Sequence, residues 1–231
     1  MSKKNTPREI VTARITEMIL TGQMKPGDQL PPERELATGM GISRNLCSDI
    51  IKELENKGLL VVIPRQGVFV NDFRADGNLY TMEAIMEAEY ELLSSEIESL
   101  LELRWAIEVL ACKRIIQNAS DEQISELGKL IDKVLEAKTP KQAALFSYEY
   151  YYRLAVLSEN CFVTMITTGT KNNMVKLLCR YAQKYGTQQL YKSLAEVYFY
   201  IGQRDFEAAI KQISRSTTDI ISGDFSIYKD I

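Results

Sequence analysis

Histidine is absent from all 231 residues. The commonest general base and the commonest metal ligand are thereby both missing, which excludes serine triads of the usual kind and imidazole-based metal sites. The four cysteines, at 47, 112, 161 and 179, form no Cys-x-x-Cys pair and no regular spacing, so neither a zinc knuckle nor a disulfide framework is suggested. They are expected to be small buried hydrophobes. No stretch approaches the ~18–20 consecutive apolar residues of a membrane span, and the opening MSKKNTPREI has no apolar signal-peptide core. A soluble, cytoplasmic protein is the expectation, with no membrane contact. Internal repeats and low-complexity tracts are lacking, and Gly39-x-Gly41 has neither a third glycine nor a preceding strand, so no dinucleotide fingerprint is present. Carboxylate pairs such as Glu96 with Glu98, or Asp121 with Glu122, sit at polar helix starts where the helix dipole favours them. They are poor candidates for catalysis, and an enzyme is not expected.

What is present is an apolar fraction of 45%, enough for two unequal domains. The charge is unevenly spread: the first 72 residues carry ten Lys and Arg against nine Asp and Glu, although the net charge of the whole is −3. The sign suits nucleic-acid contact at the N-terminus, but the excess is small.

Val11, Ile15, Met18 and Ile19 form one helical stripe that Gly22 ends. Pro26-Gly27-Asp28 is a turn, and Pro32 stands where the first turn of a helix over roughly 33–39 tolerates it. Ser43 is placed to cap a further helix reaching about Lys57, closed by Gly58. Leu59–Ile63 and Val68–Val70, separated by Pro64-Arg65-Gln66-Gly67, are the strands of a hairpin. Helix, helix, turn, helix, hairpin is the order of a winged helix-turn-helix. On the helix after Ser43 the residues Leu46, Cys47, Ile50, Ile51 and Leu54 share one face, while Asn45, Ser48, Asp49 and Lys52 share the other. A recognition helix needs that division: an apolar face fixes it to the scaffold and short polar groups reach base edges in the major groove.

Residues 72–80 read as a linker from their Asn, Asp and Gly content. Beyond Thr81 no strand signal occurs. Ser95 with Glu98, Ser120 with Gln123, and Thr139 with Gln142 fit the capping box, Pro140 strengthens the third, and another helix starts near Asp205. The expected fold is mostly α: a winged helix-turn-helix with a small β-hairpin wing over 1–71, the linker over 72–80, and an all-α bundle of six or seven helices over 81–231.

The string Pro26-Gly27-Asp28, Leu30-Pro31, Glu33-Arg34-Glu35-Leu36-Ala37, Gly41-Ile42-Ser43-Arg44, Gly58-Leu59 and Gly67-Val68-Phe69-Val70 resembles the DNA-binding domain of the GntR superfamily of regulators. The resemblance covers about residues 7–71. It implies operator contacts from Arg34, from Ser43, Arg44 and Asn45 opening the recognition helix, and from Gln66 and Gly67 at the wing tip. Ser48, Lys52 and Arg65 complete the expected DNA-contacting set. Ser48 stands where the family usually has a second arginine, so the operator is expected to differ from the family's common one.

Leu101-Glu102-Leu103-Arg104-Trp105-Ala106-Ile107-Glu108, the capped Ser120-Asp121-Glu122-Gln123 start and Leu154-Ala155-Val156-Leu157-Ser158-Glu159-Asn160 are similar to the effector domain of the FadR subgroup, over roughly 80–222. Many members bind a divalent metal with one aspartate and three histidines. Here Ser147 aligns with the aspartate, Tyr151 with the first histidine, and the other two have no counterpart. The resemblance is thus to the metal-free branch, whose cavity takes an organic effector, fatty acyl-CoA being one class. No metal and no cofactor are expected. Of the twelve tyrosines, Tyr148, Tyr150, Tyr151, Tyr152, Tyr181, Tyr185, Tyr191, Tyr198 and Tyr200 crowd together in this half, and can serve a cavity, a core or a dimer interface. Arg104 is the expected partner of a small, anionic organic effector, with Tyr151 as hydrogen-bond donor. A surface i to i+4 pair of Arg104 with Glu108 is the rival reading. A homodimer on a pseudo-palindromic operator is expected, since each chain has one recognition helix. The alternative is a dimerising DNA-binding protein without effector, which a bundle lacking a cavity would favour.

Overall fold

The structure is a computed structural model that describes residues 6–87 and 94–226. It forms two compact units, one holding the described residues up to 87 and the other those from 94.

The first unit opens with α1 (Pro7–Leu20). Thr6 and Glu9 cap it reciprocally: the Thr6 amide donates to Glu9 at 2.7 Å and the Glu9 amide to the Thr6 hydroxyl at 3.2 Å. Helix α2 (Glu33–Met40) stops at Gly41, whose φ of +67° is the left-handed C-cap that glycine adopts without strain. Ser43 then caps α3 (Arg44–Asn56), accepting from the Leu46 amide. The wing is β1 (Leu60–Ile63) against β2 (Gly67–Val70), antiparallel, with Leu60 opposite Val70 and Ile63 opposite Gly67. Val11, Ile15 and Ile19 of α1 meet Ile50, Ile51 and Leu54 of α3 in one core. Met18 is half-buried and stands outside that core.

Residues 72–80 differ from the expected linker. They contain α4 (Phe73–Asp76), and α5 (Leu79–Glu87) begins at the same place. Phe73 and Ala84 are each 4% exposed in the N-terminal core. The polar residues that suggested a loop make the turn bonds that dock it. Asn78 accepts from the Tyr80 and Thr81 amides, and the Thr81 hydroxyl donates to the Lys57 carbonyl at 2.7 Å. That hydroxyl lies 2.6 Å from where a Cβ on Gly58 would stand, so this close approach as well as its φ of +66° demands glycine.

The second unit has seven helices among the described residues: α6 (Ser94–Asn118), α7 (Asp121–Glu136), α8 (Pro140–Leu157), α9 (Cys161–Gly169), α10 (Lys171–Tyr185), α11 (Thr187–Gly202) and α12 (Phe206–Ile221). Ser120 and Gln123 form the full capping box of α7. Thr139 caps α8, but the Gln142 side chain accepts from the Lys138 amide, one residue before the cap. Asp205 caps α12. Ser95, expected at a helix start, lies inside α6, and residues 88–93 fall outside the described ones. Arg204 closes the carbonyl end of α6, donating to Ile116 and Ala119 carbonyls at 2.8 Å each and to Asp121 at 2.7 Å. The expectation of four buried cysteines needs correction: Cys47 and Cys112 are buried, Cys179 is half-buried and Cys161 is exposed at the start of α9.

Candidate DNA interface and effector cavity

Helix α3 is fixed by its apolar face, where Cys47, Ile50, Ile51 and Leu54 are at most 3% exposed. This leaves Arg44, Asn45 and Lys52 in solvent and Ser48 half-buried. Arg34 is exposed on α2, and Ser43 is exposed at the cap between the two helices. The Arg44 side chain is 75% exposed, with Glu33 at 3.9 Å as its ion-pair partner. At the wing, Arg65 and Gln66 are exposed and Gly67 half-buried. Arg65 takes a left-handed φ of +66°, which closes the turn.

Sequence reasoning missed Gln29. Its side-chain amide donates to the Gln66 carbonyl at 2.7 Å, and the surrounding backbone bonds to β2 through Leu30 to Val68 and Val70 to Asp28. The wing tip is thus held from outside the hairpin. Nothing in the Gly27-Asp28-Gln29 turn signalled that role.

In the second unit a cavity of about 90 Å³ lies between α6, α8, α10, α11 and α12 and is open to α9 side chains. Its walls are mostly aliphatic, and Arg104 is the one cation among the lining residues. One guanidinium nitrogen donates to the Tyr151 hydroxyl at 3.1 Å and the other to the Thr217 hydroxyl of α12 at 3.4 Å. The Arg104 Nε is buried and unbonded. Burial works against its charge, but Tyr151, Glu108 and Tyr181 outweigh that and hold its pKa above the ordinary guanidinium value. Next along α6, Trp105 donates to Ser214 of α12 at 3.0 Å. Arg104 and Trp105 therefore tie α6 to α12.

The surface pair of Arg104 with Glu108 is not found. Glu108 is 5% exposed and lines the same cavity. Its carboxyl has no hydrogen-bond or ion-pair partner among the described residues. Burial pushes its pKa up, and Arg104 offsets part of that. The folded chain therefore binds this proton more tightly than the unfolded one, and the associated stability is full below the ordinary 4.5 and lost as pH rises through the raised folded value. Glu108→Gln is expected to flatten this part of the slope in urea unfolding curves taken from about pH 4 to 8.

Tyr151 and Tyr181 line the cavity. Tyr150 is fully buried beside Cys112 and Glu108, its hydroxyl without a partner. Tyr148 stacks on Tyr152, and Tyr185 meets Phe225 edge-on at 5.3 Å. Ser147, at the position aligned with the metal-binding aspartate, donates to the Ala143 carbonyl at 2.8 Å. Among the described residues no group of three or more Asp, Glu, Cys or His side chains is arranged for a metal ion, and no helix is long and apolar enough to cross a membrane.

A winged helix with a free polar face on its third helix, followed by a helical unit with an internal cavity, defines a transcriptional regulator of the helix-turn-helix class. Residues 7–70 match the bacterial regulatory proteins of the gntR family, and residues 71–220 match the FadR C-terminal domain. The chain belongs to the GntR family, and its second part is a C-terminal domain of the FadR type. These are regulators and not enzymes.

The HTH-type transcriptional regulator Mce2R of Mycobacterium tuberculosis is 30% identical over 137 residues, 59% of this chain and 55% of that protein. The chain thus spans little more than half the length of this relative. The fatty acid metabolism regulator protein of Shewanella pealeana is 27% identical over 165 residues, 71% of this chain and 68% of that protein. A solved structure of Lar, which controls the expression of the Listeria monocytogenes agr system, superposes with a TM-score of 0.66 at 16% identity, over 95% of this chain and 97% of that one. That likeness concerns the fold.

Proposed function

We propose that the chain acts in the cytoplasm as a sequence-specific transcriptional regulator, binding a pseudo-palindromic operator as a homodimer. Arg34, Ser43, Arg44, Asn45, Ser48 and Lys52 face the major groove and Arg65, Gln66 and Gly67 approach the adjoining backbone or minor groove. A small organic anion in the cavity of the second unit, held by Arg104 and Tyr151, sets the operator affinity. The observation that carries the effector reading is Arg104, the lone lining cation in an aliphatic cavity, with a buried Nε left unbonded. A carboxylate entering there gains a planar fork of donors. Tyr151 accepts from Arg104, which leaves its own proton to donate.

Size limits the ligand. At about 10–15 Å³ for each water-sized position, 90 Å³ corresponds to about six to nine heavy atoms. A group as large as acyl-CoA does not fit this form of the cavity. Binding changes DNA affinity only through a difference between two placements of the chain, and the tie from Arg104 to Thr217 of α12 is the contact a ligand on Arg104 would compete with.

The test is a mass-spectrometric search for a small molecule retained by the purified protein, then operator titration with and without it. Arg104→Ala, which also removes the tie to Thr217, is expected to lose the response of operator affinity to the effector. An unaltered response in the variant removes Arg104 from the site.

A further inference from the structure

Resting on that reading of the cavity, we propose that its ligand is an apolar α-amino acid, or a close analogue carrying an ammonium beside its carboxylate, with the carboxylate on Arg104 and the ammonium on Glu108. The two side chains stand four residues apart on α6, about 6 Å along the helix axis, and both line the cavity. They are the only charged residues among the lining ones, one of each sign.

A simple carboxylate ligand would use Arg104 and leave Glu108 as a liability. Glu108 is 95% shielded from solvent, since only 5% of it is exposed, and it has no hydrogen-bond or ion-pair partner among the described residues. A buried carboxyl in that state destabilises the fold, and a second anion brought beside it makes the repulsion worse. An ammonium reverses both effects. It supplies three donors to a carboxylate that has none and balances the charge the ligand's own carboxylate brings in. Burial raises the Glu108 pKa while Arg104 lowers it, so an incoming cation favours the ionised form further.

The rest of the wall suits an apolar side chain. Leu101, Ile107, Leu154, Val163 and Met174 offer no polar atom to it. The size fits as well: valine has eight heavy atoms and leucine nine, at the upper end of the range of about six to nine set above. The cavity thus offers one cation, one anion and a largely aliphatic remainder interrupted by Thr167, Thr170, Ser193 and Ser216, the pattern of a neutral zwitterion with a mainly apolar tail.

The experiment is calorimetric titration of the full-length protein with valine, leucine and isoleucine, each beside its deaminated acid and its decarboxylated amine. For at least one of the three, the amino acid is expected to bind about tenfold or more tightly than both partners. Glu108→Gln, which keeps the side-chain volume, is expected to abolish that preference and let the deaminated acid bind at least as tightly as before, since the repelling carboxyl is gone. If every deaminated acid binds as tightly as its amino acid, the inference is overturned while the anionic-effector reading stands. If no amino acid shows saturable binding at millimolar concentrations, the inference is overturned outright, and the response of Arg104→Ala to whatever ligand co-purifies then decides the broader reading by itself. Because the comparison among ligands is made on the unsubstituted chain, a misfolded Glu108→Gln does not shelter the proposal.

Discussion

Leu54→Ala is expected to destabilise the N-terminal unit by about 2–5 kcal/mol. Leu54 is 0% exposed and lies where α3 meets α1 and the start of the wing, in the same cluster as Ile15, Ile50 and Leu59. Removing three side-chain carbons there leaves a void lined by the elements that aim the recognition helix. A whole domain is stable by only about 5–15 kcal/mol, so this one change takes a large share. Calorimetry should show the transition of this unit lowered, and operator binding lost at temperatures where the unsubstituted protein binds. Ligand binding in the second unit should persist. An unmoved transition would mean that α3 is not seated as described.

Arg44→Ala is expected to act through DNA and leave the fold unchanged. Its side chain is 75% exposed and its ion pair with Glu33 spans 3.9 Å, a pairing worth little at a surface. If Arg44 reads a base edge, specific binding weakens by about 1–3 kcal/mol, roughly five- to 150-fold, and discrimination relaxes at one operator position. Lys52→Ala serves as the contrast. A phosphate contact weakens operator and scrambled duplex alike and lowers the salt slope by about one. Fluorescence anisotropy on both duplexes, at several salt concentrations, separates the two behaviours. Equal losses on both duplexes for Arg44→Ala would reassign it to the backbone, and no loss at all would place the interface elsewhere.

The N-terminal unit was legible because its boundaries are made by local chemistry. Gly41 ends α2 by φ, Ser43 caps α3 by a hydroxyl, and the β-branched-rich runs on either side of Pro64-Arg65-Gln66-Gly67 pair as a hairpin. The stretch over 72–80 was not, because Asn78 and Thr81 look the same in sequence whether they solvate a loop or bond a docked turn. Only Phe73 hinted at burial, and a single aromatic sets no period. Arg104 was found from its apolar neighbours, but Glu108 was misplaced. An acid four residues after an arginine is ordinarily a surface pair, and what turns it inward is α8 and α12 packing against α6, a tertiary fact. Gln29 belongs with Glu108, since its partner is 37 residues away. Cys161 shows the converse: an apolar residue type in the first turn of a short helix says nothing about whether that turn is covered.

The docking of α4 and α5 onto the winged helix bears on chimeras. The family match to the winged helix ends at residue 70, and a graft cut there would strip Phe73 and Ala84 from a core in which each is 4% exposed, and leave the Lys57 carbonyl without the Thr81 hydroxyl. A transplant of this DNA-reading head onto another sensor would carry an open apolar socket and should aggregate. A junction placed after Glu87 carries the plug along with the socket.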